Sequence, residues 1–125
     1  MRRLQPKQGC AKQSKNIANQ KDIEMSYAEI EMKVVQWGEA RGIVQNATAM
    51  SQAIKTLEET TELLDAINKK DRDEVKDAVG DIVVTLIMVC AVMDIDLVSC
   101  LRGAYDEIKD RKGHLTKEGV FVKEV

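Results

Sequence analysis

The chain has 125 residues, 44% of them apolar and 32% charged, with a formal net charge of -2. That length is about one domain, and the apolar share is ample for one packed core, which argues against a multidomain arrangement. The few aromatic residues (Trp37, Tyr27, Tyr105, Phe121), the lone Pro6 and a palette of Val, Ile, Leu, Met and Ala suit helices better than a β-sandwich.

The charge is unevenly placed. Residues 1–23 carry Arg2, Arg3, Lys7, Lys12, Lys15 and Lys21 against Asp22, so the rest of the chain holds 13 basic and 20 acidic residues. An acidic body disfavours broad binding to nucleic acid, which needs a basic surface for counterion release. Cys10, Cys90 and Cys100 form no CxxC motif and follow no secretory signal, so reduced cytoplasm is the expected setting. Ile82 to Met93, interrupted only by Thr85, is 12 residues long, well short of the ~20 that span a bilayer, so no membrane partner is expected.

In chain order, residues 1–24 lack apolar periodicity and read as a flexible basic extension, with residues 25–125 as the folded domain. A first helix is expected from about Ser26, placing Tyr27, Ile30, Val34 and Trp37 on one face before Gly38 and Gly42 loosen the chain. A second should run from Ala49 to Asn68, with Met50, Ala53, Ile54, Leu57, Leu64 and Ile67 as its apolar stripe and Gln52, Lys55, Glu59 and Glu62 opposite. Asp71, with Glu74 three residues on, resembles a capping box for a third helix reaching Met93. Asp94-Ile95-Asp96 caps a fourth, Leu97 to about Lys112, which Gly113 stops and whose last turn holds Lys109, Arg111 and Lys112. Val120-Phe121-Val122 is a short extended segment. Short loops make the last three helices antiparallel neighbours in an all-α, four-helix bundle.

Two acidic patches carry the chemistry. At 100° per residue, Lys55, Glu59 and Glu62 lie within about 60° of one another, with Glu58 at the edge of that sector. On the third helix Glu74, Asp77 and Asp81 form a second stripe, and Asp81 opens the apolar run, where an ionised carboxylate needs a partner. Packed together, the two helices would offer a cluster of oxygens to a hard divalent cation. The plainer alternative is a pair of solvated acidic faces, which is adequate for Glu58 or Glu74 alone.

Glu58-Glu59-x-x-Glu62 followed across a loop by Gly80-Asp81 resembles the MazG-like all-α nucleoside triphosphate pyrophosphohydrolases, relatives of the dimeric dUTPases. Trp37-Gly38-Glu39-Ala40-Arg41-Gly42-Ile43, Gln52, Lys55-Thr56-Leu57-Glu58-Glu59, Ala104-Tyr105 through Arg111-Lys112-Gly113, and Gly119 to Glu124 extend the likeness to the short members often encoded by phages. The resemblance covers about residues 26–124. It implies hydrolysis of a nucleoside triphosphate, usually a deoxynucleotide or an aberrant one, to the monophosphate and pyrophosphate with magnesium, or manganese in its place. It also implies a homodimer or homotetramer whose sites are completed between protomers. Glu59, Glu62 and Asp81 match the metal-binding acids. Where the family usually has Glu three positions before the final Asp, this chain has Ala78, and Asp77 is the natural substitute.

On that reading Glu58 or Glu59 accepts the proton of the attacking water, and Lys55, Lys109, Arg111 and Lys112 are candidates for the phosphates. Trp37 is a candidate to stack on the base and Gln52 to hydrogen-bond its edge. His114 has no partner at zinc spacing, no Glu-x-x-His pair suggests a di-iron site, and neither GxxxxGK[ST] nor GxGxxG occurs. The competing expectation is a non-catalytic helical interaction module whose basic tail contacts nucleic acid or an acidic partner.

Overall fold

The computed structural model describes residues 25–124. The expected extension lies outside them. Among the described residues five helices, α1 (Tyr27–Ala40), α2 (Ile43–Asn46), α3 (Ala49–Lys69), α4 (Arg72–Met93) and α5 (Leu97–Ile108), precede a two-stranded hairpin of β1 (Gly113–Leu115) and β2 (Phe121–Lys123). The all-α expectation holds, with the one-turn α2 as an addition.

Each long helix starts on a side-chain cap. Ser26 and Glu29 form a complete capping box on α1, with reciprocal bonds of 3.1 and 2.9 Å. Thr48 caps α3 and Asp96 caps α5, each accepting from the third residue onward at 3.0 Å. Asp71 caps α4 through the Glu74 amide at 3.1 Å, but Glu74 does not reach back. Its carboxylate leans toward Lys69 instead, 3.9 Å away. Helices α3 and α4 both end on left-handed residues, Lys70 (φ 59°) and Asp94 (φ 58°). The amide beyond each closes on a carbonyl of the last turn, Asp71 on Ala66 at 3.1 Å and Ile95 on Cys90 at 2.8 Å.

The fourth expected helix stops earlier than Lys112. Arg111 closes a tighter turn on Ile108, and the Lys112 carbonyl is taken by the Glu124 amide at 2.7 Å, extending the hairpin ladder. Lys109, Arg111 and Lys112 therefore lie beyond α5 rather than in its last turn. Gly113 serves the hairpin: a Cβ there would run into the Val122 carbonyl and approach Phe121 Cζ to 2.7 Å. The strands pair antiparallel as Gly113 with Lys123, His114 with Val122 and Leu115 with Phe121, which includes the expected extended segment.

α4 is the hub, touching α1, α2, α3 and α5. It supplies Ala78, Thr85, Ile87, Met88 and Cys90 to the interior, joined by Ala66 of α3 and by Gly38 of α1. Gly38 sits directly on Met88; a Cβ would stand 2.6 Å from its Sδ. Among the described residues no single helix is long and apolar enough to cross a membrane.

The apolar stripe expected on the second helix is not the face it buries. The stripe of Met50, Ile54, Leu57, Leu64 and Ile67 faces outward, with Met50 70% and Leu57 67% exposed. The face that α3 covers is the opposite one, Gln52, Thr56, Glu59, Thr60, Leu63 and Ala66, at spacings of three and four. Small and hydroxyl side chains let α3 and α4 lie close, and the large apolar residues are left on the outside.

Candidate active site: an acidic seam between α3 and α4

Helices α3 and α4 run antiparallel from the Lys70-Asp71 turn, so one turn forward in α3 meets one turn back in α4. The register is pinned by two hydroxyls, Thr56 Oγ1 and Thr85 Oγ1, 2.8 Å apart. Thr85 is buried, and each hydroxyl also faces a carbonyl of its own helix, Thr85 that of Ile82 at 2.7 Å and Thr56 that of Gln52 at 3.2 Å, so either one can donate across the seam. One turn further toward the connecting loop, Glu59 comes within the field of Asp81.

Glu59 is the centre of the site. It is half-buried, and its Oε1 is shielded from solvent with no hydrogen-bond partner. Burial first, then the charges of Glu62 and Asp81, raise its pKa above the ordinary 4.5, while Lys55 opposes them. A shielded anionic oxygen beside two further carboxylates is an electrostatic debt that a cation would settle. Along the same seam Glu62 and Asp77 line a cavity of about 350 Å³ with Asp65, Glu74 and Ala78. Ala78 itself is buried and forms part of the wall of that cavity.

Asp81 also lines a cavity of about 400 Å³ with Lys33, Val34, Trp37 and Val84. An aromatic ring, aliphatic walls, a cation and a carboxylate suit a small polar heteroaromatic ligand. The Arg41 guanidinium lies over the Trp37 ring, 4.7 Å from its centroid, and donates to the Trp37 carbonyl at 3.4 Å. Lys33 is not among the sequence candidates and Arg41 enters them only as part of the Trp37–Ile43 segment; each is four residues from Trp37, a spacing that places all three along one helical face.

The remaining candidates divide. Lys55 Nζ is tied to Glu58 at 3.2 Å, an exposed pair on one helix that contributes little to stability. Gln52 is half-buried on the covered face of α3. Lys109 pairs with Asp106 at 3.5 Å. Arg111 and Lys112 share an open groove with Glu107, Asp110, Lys123 and Glu124, apart from the seam. The acids and Lys55 are thus brought together on the helical hairpin, and the C-terminal cations are not.

The residues of the seam fit a metal ion only in part. Hard carboxylate oxygens and one orphaned buried oxygen fit a divalent cation of the magnesium type. Among the described residues, however, no three carboxylate, histidine or cysteine groups stand close enough to enclose an ion.

The model of the MazG nucleotide pyrophosphohydrolase domain matches residues 47–116, from the start of α3 to just beyond β1, and the chain belongs to this family. An uncharacterized 18.2 kDa protein from the rep-hol intergenic region of Haemophilus phage HP1 (strain HP1c1) is 35% identical over 65 residues, covering 52% of this chain and 40% of that protein. The match thus spans less than half the length of this phage relative. No solved structure matches the chain.

Proposed function

We propose that the protein hydrolyses a nucleoside triphosphate to the monophosphate and pyrophosphate, with magnesium or manganese held at the α3–α4 seam. The observation that carries this reading is the shielded, unpartnered Oε1 of Glu59 between Glu62 and Asp81. Glu59, Glu62 and Asp81 would hold the metal, with Asp77 at the next turn in place of the carboxylate that Ala78 lacks. When bound, the ion offsets the negative charge of the triphosphate and polarises the phosphorus under attack.

The chain's own groups do the rest. The base enters the cavity beside Trp37 and stacks on the ring face that Arg41 leaves open, with Gln52 a candidate for its edge. Arrival of the phosphates opens the exposed Lys55–Glu58 pair: Lys55 turns to a phosphate oxygen and Glu58 is released to take a proton from the attacking water. The outward stripe on α3 is covered by a second copy of the chain, giving a homodimer or homotetramer. Lys109, Arg111 and Lys112, remote from the seam of their own protomer, reach phosphates from a neighbouring one.

A panel of ribo- and deoxynucleoside triphosphates, ordinary and modified, tests the reading by release of pyrophosphate with magnesium and with chelator. Release from at least one nucleotide, lost with chelator and in Glu62→Gln, is the expected result. Absence of release across the panel would overturn it in favour of the interaction module.

A further inference from the structure

The cavity beside Trp37 has a volume of about 400 Å³, at the small end of ligand pockets, which run to about 300–1,000 Å³. It takes a base and little more. Of its walls, Val34 and Val84 offer no polar side-chain atom, Asp81 belongs also to the acidic seam, and Trp37 carries an indole N–H that only donates. Lys33 stands one turn before Trp37 on α1, ~6 Å along the axis. Its ammonium is free to engage a ligand: the ion pairs among the described residues join Lys55 to Glu58, Lys69 to Asp65 and Glu74, and Lys109 to Asp106, and Lys33 takes part in none. An ammonium donates and never accepts. With Asp81 committed to the seam, the polar groups left to read a base here are donors.

We propose that Lys33 sets the base preference: its ammonium donates to a ring carbonyl, so the site favours nucleotides of keto bases (guanine, thymine, uracil) over those of amino bases (adenine, cytosine). This rests on the reading that a nucleotide's base stacks on Trp37. Guanine presents O6 and N7, and thymine or uracil presents O4; all are acceptors. Cytosine puts an amino group in the same place. Two donors then face each other with neither satisfied, which costs more than a bond merely not formed. Adenine carries an amino group too but keeps N7 as an acceptor, so the contrast is smaller within the purines than within the pyrimidines. Because Lys33 is exposed, water reaches its ammonium, and the discrimination falls at the low end for a base-edge contact, about five- to tenfold for uracil over cytosine.

Trp37 is the only tryptophan in the chain, so its fluorescence reports stacking without any hydrolysis. The full chain, with magnesium present, is titrated with dUMP, dCMP, dGMP and dAMP, and the midpoint of quenching is read rather than its depth. The dUMP midpoint should lie about five- to tenfold below that of dCMP, with a smaller gap between dGMP and dAMP. Both gaps should close in Lys33→Met, which keeps the length of the side chain and removes the donor. Equal midpoints in the native chain, gaps that survive Lys33→Met, a preference for the amino bases through Asp81, or no quenching by any of the four nucleotides would overturn the proposal. Pyrophosphate release from the corresponding triphosphates, measured alongside, separates this inference from the function it rests on. Release without a preference for dUTP over dCTP in kcat/KM refutes the role of Lys33 alone. Quenching with the expected gaps but no release supports Lys33 as the reader of the base and refutes hydrolysis.

Discussion

Replacing Thr85 with valine keeps the shape of a buried side chain and deletes one hydroxyl. The native hydroxyl shares a hydrogen bond with Thr56 at 2.8 Å and lies 2.7 Å from the Ile82 carbonyl. In the variant Ile82 retains its ordinary helical acceptor role, and Thr56 turns its proton to the Gln52 carbonyl, already 3.2 Å away. No buried donor is stranded, so the loss is that of one net hydrogen bond, about 0.5–1.5 kcal/mol, and not the larger penalty of an orphaned group. For a domain of roughly this size 1 kcal/mol corresponds to about 4–8 °C in melting temperature. Thr56→Val removes the same bond from the other side and leaves Thr85 its bond to Ile82. The two singles therefore share one interaction, and the double variant should cost little more than either, a coupling of about 1 kcal/mol. Urea and thermal melts of all four proteins, at one fixed chain concentration, measure the cycle. Additive losses, or a single loss above about 3 kcal/mol, would refute the idea that this hydroxyl pair sets the α3–α4 register. Because Glu59 and Asp81 are one turn away, magnesium-dependent turnover should drop in each single variant while the fold persists.

Glu62→Gln and Asp81→Asn should each abolish pyrophosphate release while circular dichroism stays unchanged, and near-normal rates in either would remove the seam from the reaction. In metal-free protein Glu59 binds its proton more tightly folded than unfolded, so stability should fall as pH rises from about 4.5 through the higher folded value. Glu59→Gln should flatten that dependence, and melts across acidic pH compare the two. Asp77→Asn should weaken magnesium dependence far more than Glu74→Gln, since Asp77 stands one turn from Asp81 whereas Glu74 is two turns away and leans on Lys69; equal mild effects in magnesium titrations would exclude Asp77. Gly80→Ala, where an added Cβ meets nothing within 4 Å, should raise stability by about 1 kcal/mol, whereas Gly38→Ala drives into Met88 and should lower it, with thermal melts reporting both.

Helix starts were legible because each is written in a local cap: Ser26, Asp71 and Asp96 are all where the spacing rules put them. The acids of the seam were legible too, since three- and four-residue spacing fixes a helical face whatever packs on it. What the sequence hid was the choice between the two faces of α3. Amphipathic periodicity shows which residues avoid water without saying whether their own chain or another supplies the cover, and here the chain's own contact is made by Thr56, Thr60 and Ala66. The end of α5 was equally hidden, because the Glu124 amide that captures the Lys112 carbonyl lies 12 residues away. The surroundings of Trp37 were legible as well, because Lys33 and Arg41 each lie four residues from it on one helical face.

The outward stripe on α3 also has a consequence for dilution. A protomer whose interior is little more than Ala66, Ala78, Thr85, Ile87, Met88 and Cys90 keeps most of its large hydrophobic side chains in reserve. Once a second copy covers them, as proposed, much of the free energy of the native state becomes bimolecular, and the midpoint of unfolding moves with chain concentration. Scarcity then acts as a denaturant: newly made chains would reach their working shape only after enough of them have accumulated, so output would rise more steeply than expression.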